Sequence, residues 1–322
     1  LIFSLVNIGI NNMKSIVKHY TQKVFIKKIY IVLSLCNILL SNDTFSIVAV
    51  DTLTGQVGSA GASCIQSSII ISDIHPGLGA IHTQSYWNAS NQDSASSLME
   101  QGYAPQDIID WLVENDAQNN PTIRQYGVVD LLNGGRSAAF TGENCSDFKG
   151  HKIGDTYAIQ GNILLGQSIL DDMEEAFLTQ YGTFEEKLMA SLMAANVVGA
   201  DTRCTPYGTP SISAFIRVSD PNDYEDQLFM DINVNNAPLT LNPLDSLHVL
   251  YWDWKIEQYI LGDIDFNRKV DILDILFLCD QVGSYQSIMD HAFEASDMNM
   301  NGELEITDLY LLLFDIIGTV GG

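Results

Sequence analysis

The C-terminal part of the chain contains two copies of one 12-residue pattern, and this repeat limits the possible folds more than any other feature. The copies, Asp263–Asp274 and Asp297–Asp308, start 34 positions apart and carry carboxylate or amide side chains at alternating positions. An apolar stretch follows each copy, over 275–282 and 309–317, and a glycine ends each stretch. Helix capping would explain one such segment. Two aligned copies with matching apolar flanks predict a pair of calcium loops instead.

Each loop offers a full set of oxygen ligands. Calcium takes six to eight oxygens, which a 12-residue loop supplies from positions 1, 3, 5, 7, 9 and 12. In the first loop these positions hold Asp263, Asp265, Asn267, Lys269 (through its carbonyl), Asp271 and Asp274. In the second they hold Asp297, Asn299, Asn301, Glu303 (through its carbonyl), Glu305 and Asp308. The sequence therefore predicts two calcium ions in a small all-α module over 261–318. The second loop should be the better formed, because Gly302 occupies the sharply turning position 6, where the first loop has Arg268.

This module resembles a type I dockerin. The resemblance rests on Asp at position 12, one helix after each loop and the tandem arrangement. Dockerins bind calcium and many dock onto cohesin domains of extracellular assemblies, so the resemblance implies a cohesin-like or cell-surface partner. The positions that commonly contact cohesin hold Ile272-Leu273 and Ile306-Thr307 in place of the familiar Ser-Thr pair. A calcium-stapled end domain with intramolecular contacts is the alternative.

The N-terminal residues are typical of an export leader. Met13 is the expected start, and it precedes a basic stretch and the apolar run Ile29–Leu40. The basic residues of that stretch are Lys14, Lys18, Lys23, Lys27 and Lys28. Because the apolar run of 12 residues is shorter than the roughly 20 of a membrane span, we expect upstream residues and a signal peptide over 1–41. An uncleaved anchor is the alternative. The mature protein should then be secreted or at the cell surface, with no membrane span.

The net charge limits the possible binding partners, and the cysteine content limits the possible disulfide bonds. Without the leader, 10 basic residues stand against 40 acidic ones, a formal charge of −30. Such a polyanion repels phosphate backbones, which excludes nucleic acid as a partner. Beyond Cys36, the cysteines are Cys64, Cys145, Cys204 and Cys279. Export permits disulfides, but the sequence leaves open three full pairings, with buried thiols as an alternative. An oligomer is compatible with the sequence.

Strand and helix patterns alternate between residues 44 and 254. Strands are predicted over 44–50, 56–62, 69–72, 78–84, 126–131, 137–141, 157–161, 211–218 and 227–233, and helices over 93–101, 105–114, 168–177 and 184–197. Asn133-Gly134-Gly135 marks a hairpin. The stretch 236–260, with Pro238 and Pro243, is expected to form the domain edge and a connector. Helix pairs between hairpins indicate an α+β fold with helices packed on sheets.

Ordered motifs in this region resemble the family called domain of unknown function 1028. They are Thr44–Asp51, Thr54–Gly58, Ala62-Ser63, Gly77–Ala80, Thr83-Gln84, Arg124-Gln125, Gly127–Asp130, Thr141-Gly142, Gly150-His151, Gln160-Gly161-Asn162, Gly199–Arg203 and Ser213-Ala214. The resemblance covers Thr44 to roughly Trp254. It implies the four-layer α/β/β/α sandwich of N-terminal nucleophile hydrolases, in a family whose activity is not established.

The resemblance also implies a nucleophile. An N-terminal Thr, Ser or Cys attacks an amide carbonyl while its own α-amine acts as base. Family members often begin Met-Thr-Phe-Ser, so Thr44 is the candidate. The chemistry requires a free amine on Thr44, whereas cleavage after Ser41 would leave Asn42-Asp43 ahead of it. Many members have Lys where this chain has Cys64.

Other candidate residues each have a functional and a structural interpretation. Gln160 and Asn162 would donate hydrogen bonds to an oxyanion, or satisfy a turn. Asp201 and Arg203 would hold a carboxylate or phosphate, or pair with each other. Cys64 would be a nucleophile or half of a disulfide with Cys204 or Cys145. His82, in an apolar strand, is interpreted as a satisfied core histidine rather than a catalytic base.

Two functions of different classes follow. The first is a secreted amide-cleaving hydrolase with a calcium-binding module for attachment or assembly. The second is a non-catalytic extracellular binding or assembly protein that retains the sandwich fold. The chain lacks the Gly-x-Ser-x-Gly elbow, the His-Glu-x-x-His helix and a phosphate-binding glycine loop, so those enzyme classes are not supported.

Overall fold

The computed structural model describes residues 44–257, 260–264, 269–284, 295–300 and 303–320. The predicted leader lies outside these residues, as do three predicted calcium ligands, Asp265, Asn267 and Asn301. Within the described part of the chain, no helix combines the length and the apolar character that crossing a bilayer requires.

The described residues form two antiparallel sheets. The strands are β1 (Thr44–Asp51), β2 (Gln56–Ser63), β3 (Ser72–His75), β4 (Gly79–Gln84), β5 (Gln125–Asp130), β6 (Arg136–Thr141), β7 (Gly150–Gly154), β8 (Tyr157–Gly161), β9 (Ser213–Ser219) and β10 (Met230–Val234). The larger sheet has the order β10-β9-β2-β1-β8-β7, and the smaller has the order β3-β4-β5-β6. Strand β1 is therefore central in the larger sheet, where it pairs with β2 and β8.

Helices cover the outer face of each sheet. They are α1 (Ala89–Glu100), α2 (Pro105–Glu114), α3 (Ser168–Thr179), α4 (Phe184–Ala194) and α5 (Pro243–Glu257), followed in the C-terminal part by α6 (Ile272–Ser284) and α7 (Ile306–Val320). Helices α3, α4 and α5 share one core with the larger sheet. Helices α1 and α2 share another with the smaller sheet.

The alternation of β1 shows how the layers form. Successive side chains of a strand point to opposite faces, and all of β1 up to Val50 is buried. Phe45 and Ile47 pack in the core that contains α3 to α5, whereas Val48 and Val50 pack against the smaller sheet. The order of layers is helices, sheet, sheet, helices. The predicted α+β class is confirmed.

Three local predictions were wrong or incomplete. Residues predicted to start a strand at Ile69 form a 3-10 helix over Ser68–Ile71, and the strand begins only at Ser72. The structure adds β7, which the sequence analysis missed. It also adds α5, which begins at Pro243. Proline is tolerated at the first position of a helix because an N–H group there would have no acceptor within the helix. The predicted hairpin after β5 is confirmed, with Asn133 at a φ of 56°.

The C-terminal part has a small core of its own. Ile264, Ile275, Leu278, Ala295 and Leu312 are buried together. Helices α6 and α7 contain the predicted apolar stretches and extend them by a few residues at each end. The repeat thus encodes two loop–helix units that pack on each other.

Candidate functional site

The space between the two sheets changes character along β1. Towards its C-terminal end the space is filled by apolar side chains such as Val48, Val129 and Ala158. Towards Thr44 it is filled by buried polar side chains. These are Ser46, Ser59, His82, Gln84, Gln125, Gln160 and Asn162. Burying polar groups is costly unless they are hydrogen-bonded. Each of these side chains is therefore described by the groups to which it donates and from which it accepts.

Gln125 sets the direction of this network. Its Nε2 donates to the backbone carbonyls of Gly150 (3.0 Å) and Gly161 (2.9 Å), which can only accept. Its Oε1 must therefore face the other way. There it accepts from Nε2 of Gln84 (2.7 Å) and from Nδ2 of Asn162 (2.8 Å).

The same logic continues to His82. Gln84 also donates to the carbonyl of Thr44 (3.3 Å), so its Oε1 is left to accept the proton of Ser46 (2.7 Å). The Ser46 oxygen then accepts from Nδ1 of His82 (2.9 Å) and from Nε2 of Gln160 (2.7 Å). A serine hydroxyl has one proton and two lone pairs, so this set saturates it. These bonds assign the proton of His82 to Nδ1, and with that assignment Nε2 of Gln160, 3.1 Å from Nδ1, donates to Ser46 and not to the ring.

The other face of the ring completes the chain of bonds. Nε2 of His82 accepts from Ser59 (2.6 Å), whose oxygen accepts from Ser72 (2.8 Å). Arg217 in turn donates to Ser72 (3.4 Å). Burial, with a smaller contribution from the charge of Arg217, lowers the pKa of His82 to about 3. The ring is therefore neutral at physiological pH, and both of its nitrogens have hydrogen-bond partners. The prediction that His82 is a core histidine is confirmed.

Thr44 lies at the polar end of β1 and is completely buried. Its carbonyl accepts from the backbone N–H of Asn162 (3.2 Å) and from Gln84. Its partner in the adjacent strand is Ser63. Asn162, which directly follows β8, and Gln84 of β4 thus fix the backbone position of the candidate nucleophile.

Asp201 and Arg203 lie beside the same strand ends. They form a two-bond ion pair, with Oδ2 of Asp201 2.6 Å from Nη2 of Arg203 and Oδ1 3.0 Å from Nε. Nη2 of Arg203 is also 3.4 Å from Oγ of Ser63, the residue opposite Thr44. The carboxylate is buried, whereas the Arg203 side chain is 29% exposed. The internal salt bridge is therefore present, and it holds the positively charged guanidinium group of Arg203 close to Thr44.

A disulfide bond joins the end of β2 to the segment that carries Asp201 and Arg203. Cys64 is bonded to Cys204, and the N–H of Cys64 donates to Oδ2 of Asp201 (2.8 Å). The pairing left open by the sequence is therefore Cys64–Cys204, and Cys64 is not a thiol nucleophile in this form. Cys145 is buried outside any disulfide, with its thiol 3.2 Å from the carbonyl of Arg124.

The candidate oxyanion donors occupy different places. Asn162 lies next to Thr44, whereas Gln160 lies deeper, against Gly127 of the smaller sheet. Both amide N–H groups donate within the network, while Oε1 of Gln160 and Oδ1 of Asn162 are buried and accept no hydrogen bond from the described residues. The structure thus brings Thr44, Asn162, Asp201 and Arg203 together at one end of β1.

Sequence reasoning missed four residues of this buried polar set, Ser46, Ser59, Gln84 and Gln125. A signal for them existed. His82 and Gln84 are two residues apart in one predicted strand, and Gln160 and Asn162 show the same spacing at the C-terminal end of another, where Asn162 directly follows the last strand residue. Residues two apart share one face of a strand, so two strands with polar pairs on one face indicate a buried polar layer.

In the C-terminal part, the residues at both ends of each predicted calcium loop are buried. They are Asp263, Asp274, Asp297 and Asp308. Asp274 accepts from the N–H groups of Ile264 (2.7 Å) and Asp271 (2.8 Å). Asp308 accepts from those of Asn299 (3.3 Å) and Glu305 (2.8 Å). These carboxylates thus lie inside their own loops, and carboxylate oxygens are the ligands that a hard cation such as calcium takes. The side chains of Lys269, Glu303 and Glu305 are exposed.

The chain is similar to two solved structures. A structure of protein SPO2555 from Silicibacter pomeroyi, itself described as a DUF1028 protein, is similar with 27% identity and a TM-score of 0.55. The similarity covers 66% of this chain and 88% of that one. Anbu (ancestral beta-subunit) from Yersinia bercovieri shows 10% identity and a TM-score of 0.38, over 66% of this chain and 93% of that one. No curated protein matches the chain.

The family model described as "Family of unknown function (DUF1028)" matches residues 44–244. The match begins at the first residue of β1 and ends at the start of α5. Since it spans more than half of the chain, the protein belongs to the DUF1028 family.

Proposed function

We propose that the protein is an amide-cleaving hydrolase of the N-terminal nucleophile type, with Thr44 as the nucleophile. One observation carries the proposal. Thr44 is the first residue of the central strand, it lies at the polar end of the space between two helix-covered sheets, and the family match starts at this residue. Cleavage of the chain immediately before Thr44 would give it the α-amine that the chemistry needs.

In the proposed mechanism, the α-amine takes the proton of the Thr44 hydroxyl as its Oγ1 attacks the amide carbonyl. The protonated amine then gives that proton to the leaving nitrogen, and water hydrolyses the resulting ester. Gln84 and the N–H of Asn162 hold the Thr44 carbonyl and so orient both reacting groups. The side-chain amide of Asn162 is the nearer donor for the oxyanion. Arg203 would attract a carboxylate carried by the substrate, while Asp201 holds the guanidinium group of Arg203 in place through two hydrogen bonds.

The mature N-terminus provides the test. We would prepare the protein with Thr44 first, by cutting a removable N-terminal fusion, and compare it with a form that keeps Asn42-Asp43 ahead. A β-lactone probe should acylate the Thr44-first form, and mass spectrometry should find the added mass on its N-terminal peptide. The form with two extra residues and a Thr44→Ala form should not react. A Thr44→Ser form should react, because it keeps a hydroxyl.

The competing function, a non-catalytic binding protein, has its own outcome. It would be supported if the folded Thr44-first protein neither reacts with the probe nor cleaves peptide and N-acyl amides. Equal labelling of the Thr44→Ala form would also contradict the proposed nucleophile. Circular dichroism of each form would establish that it is folded.

We also propose that the C-terminal part binds two calcium ions and attaches the secreted protein to an extracellular or cell-surface partner. The four buried carboxylates of the loop ends support calcium, which would neutralise them and tie the ends of each loop together. The Cys64–Cys204 disulfide supports an oxidising compartment. Ile272, Leu273 and Ile306, at the positions that resemble dockerin contacts, are all more than half exposed and support a docking face.

Calorimetric titration of the full chain with calcium, after treatment with a chelator, tests this second proposal. Two ions should bind to the parent protein and one to Asp308→Asn. The control is Asp315→Asn, an exposed residue of α7 that should leave the stoichiometry at two. Unchanged stoichiometry in Asp308→Asn would mean that the loops are capped helix starts.

A further inference from the structure

A histidine and two glutamates converge away from the Thr44 site. His75 ends β3, Glu100 ends α1, and Glu225 lies in the connection between β9 and β10. One ligand atom from each, a ring nitrogen or a carboxylate oxygen, lies within 4.8 Å of the others. His75 is 3% exposed, whereas Glu225 is 68% exposed. The cluster therefore joins a buried imidazole to two carboxylates that solvent can reach.

The hydrogen bonds of His75 define which ring nitrogen faces the glutamates. Ser96 of α1 donates its single proton to Asp73 (2.6 Å), so its oxygen can only accept from Nε2 of His75 (2.8 Å). The ring proton is therefore on Nε2, backed by Asp73 at 3.5 Å. In the neutral ring, the lone pair of Nδ1 then points towards Oε1 of Glu225, 3.6 Å away.

A lone pair that faces a carboxylate oxygen needs a positive charge between the two atoms, which either a second ring proton or a metal ion would supply. The same need arises at Glu100, because a negative charge at the C-terminal end of a helix opposes the helix dipole. The second nitrogen of His75 already has the hydroxyl and carboxylate partners that orient metal-bound histidines in proteins. One nitrogen and two carboxylates form a ligand set used by zinc.

The loop that carries Glu225 is itself held in place. Tyr224 and Gln227 bridge across the turn, and Oδ2 of Asp223 accepts from the N–H groups of Asp220 (2.8 Å) and Phe229 (2.6 Å). Ligand atoms around a tetrahedral zinc ion lie about 3.3 Å apart, given metal–ligand distances of about 2.0–2.1 Å. Small rotations of the two exposed glutamate side chains would close the remaining gap.

We infer that His75 (through Nδ1), Glu100 and Glu225 form a binding site for a divalent metal ion of the zinc class. Asp73 and Ser96 position the imidazole without touching the metal. Three protein ligands leave a fourth position for water. Because β3 belongs to the smaller sheet and β9 and β10 to the larger one, the ion would link the two sheets and the end of α1.

The test is calorimetric titration of the metal-free full chain with zinc chloride, in saturating calcium so that the C-terminal loops do not compete. One zinc ion should bind at this site in the parent protein. Glu225→Gln and Glu100→Gln should each weaken that binding at least about tenfold, and Asp73→Asn by about tenfold through loss of the oriented ring. The matched control is Asp226→Asn, an exposed acidic residue adjacent to Glu225, which should bind zinc like the parent.

A second readout avoids variants that fail to fold. In long-range ¹H–¹⁵N spectra, zinc should shift the Nδ1 resonance of one histidine and leave its Nε2 protonated, and the shift should be absent in Glu225→Gln. The inference is overturned if Glu225→Gln binds zinc as tightly as the parent. It is also overturned if no histidine resonance responds to zinc, in which case His75 pairs with the glutamates as an imidazolium ion.

Discussion

Replacing His82 with Gln should reduce the sensitivity of the fold to acid. The imidazole lies between Ser46 and Ser59, donating to one and accepting from the other. Glutamine keeps one donor and one acceptor but binds no proton in this range. The substitution therefore removes a titrating group while retaining the two kinds of hydrogen bond.

The magnitude follows from the difference between the folded and unfolded states. Burial, together with Arg217, lowers the pKa of His82 to about 3 in the folded protein, whereas an unfolded histidine has a pKa of about 6.5. As the pH falls below about 6.5, the unfolded chain gains a proton that the folded protein does not bind, so stability is lost. The slope is about 1.4 kcal/mol per pH unit, which gives a loss of about 2 kcal/mol between pH 7 and pH 5.

Tryptophan fluorescence during urea unfolding measures this loss. All 4 tryptophans lie between residues 87 and 254, so the signal reports on the two-sheet domain. The free energy of unfolding would be extrapolated to water at pH 7 and pH 5. His82→Gln should lose about 2 kcal/mol less than the parent over this interval, because every other titrating group is common to both proteins.

Ser59→Ala is the matched control, since it breaks the bond to Nε2 of His82 and removes no titrating group. It should lower stability at both pH values and keep the dependence on pH. The reasoning is refuted if the parent and His82→Gln lose the same free energy between pH 7 and pH 5.

Two further substitutions test the packing of the site. Gly127→Ala should destabilise the domain by about 1–3 kcal/mol in urea unfolding, because the added methyl group would overlap Oε1 of Gln160; Gly166→Ala, where the added carbon meets open space, is the control. Replacing both Cys64 and Cys204 with Ala should lower stability by up to about 5 kcal/mol, the chain-entropy value for residues separated by 140 positions. Unfolding of the parent with and without reductant measures the same effect, and a change below about 1 kcal/mol would contradict a structural disulfide.

Much of the architecture follows from local patterns. The residue pattern of Thr44–Val50 is enough to predict a strand there, although the burial of both its faces is seen only in the structure. The NGG turn is enough to predict the hairpin of β5 and β6. Likewise, the position of His82 in an apolar strand predicts a core histidine, and its side chain is completely buried. These features depend on residues close together in the chain, where sterics and burial act on each segment by itself.

The candidate site was decided by tertiary structure. The partners of Gln125 are carbonyls of Gly150 and Gly161 in the opposite sheet, and no local pattern specifies which strands will face each other. The choice of Cys204 as partner of Cys64 likewise depends on two segments that are 140 positions apart in the chain and meet in the fold. Pro243 lies in a stretch predicted to form the domain edge and a connector, yet it starts α5, because Leu244, Leu247 and Tyr251 bury one face of that helix. Local sequence limits what each segment can form, whereas the packing of distant segments determines which polar groups meet, because a buried donor must find its acceptor wherever the fold places one.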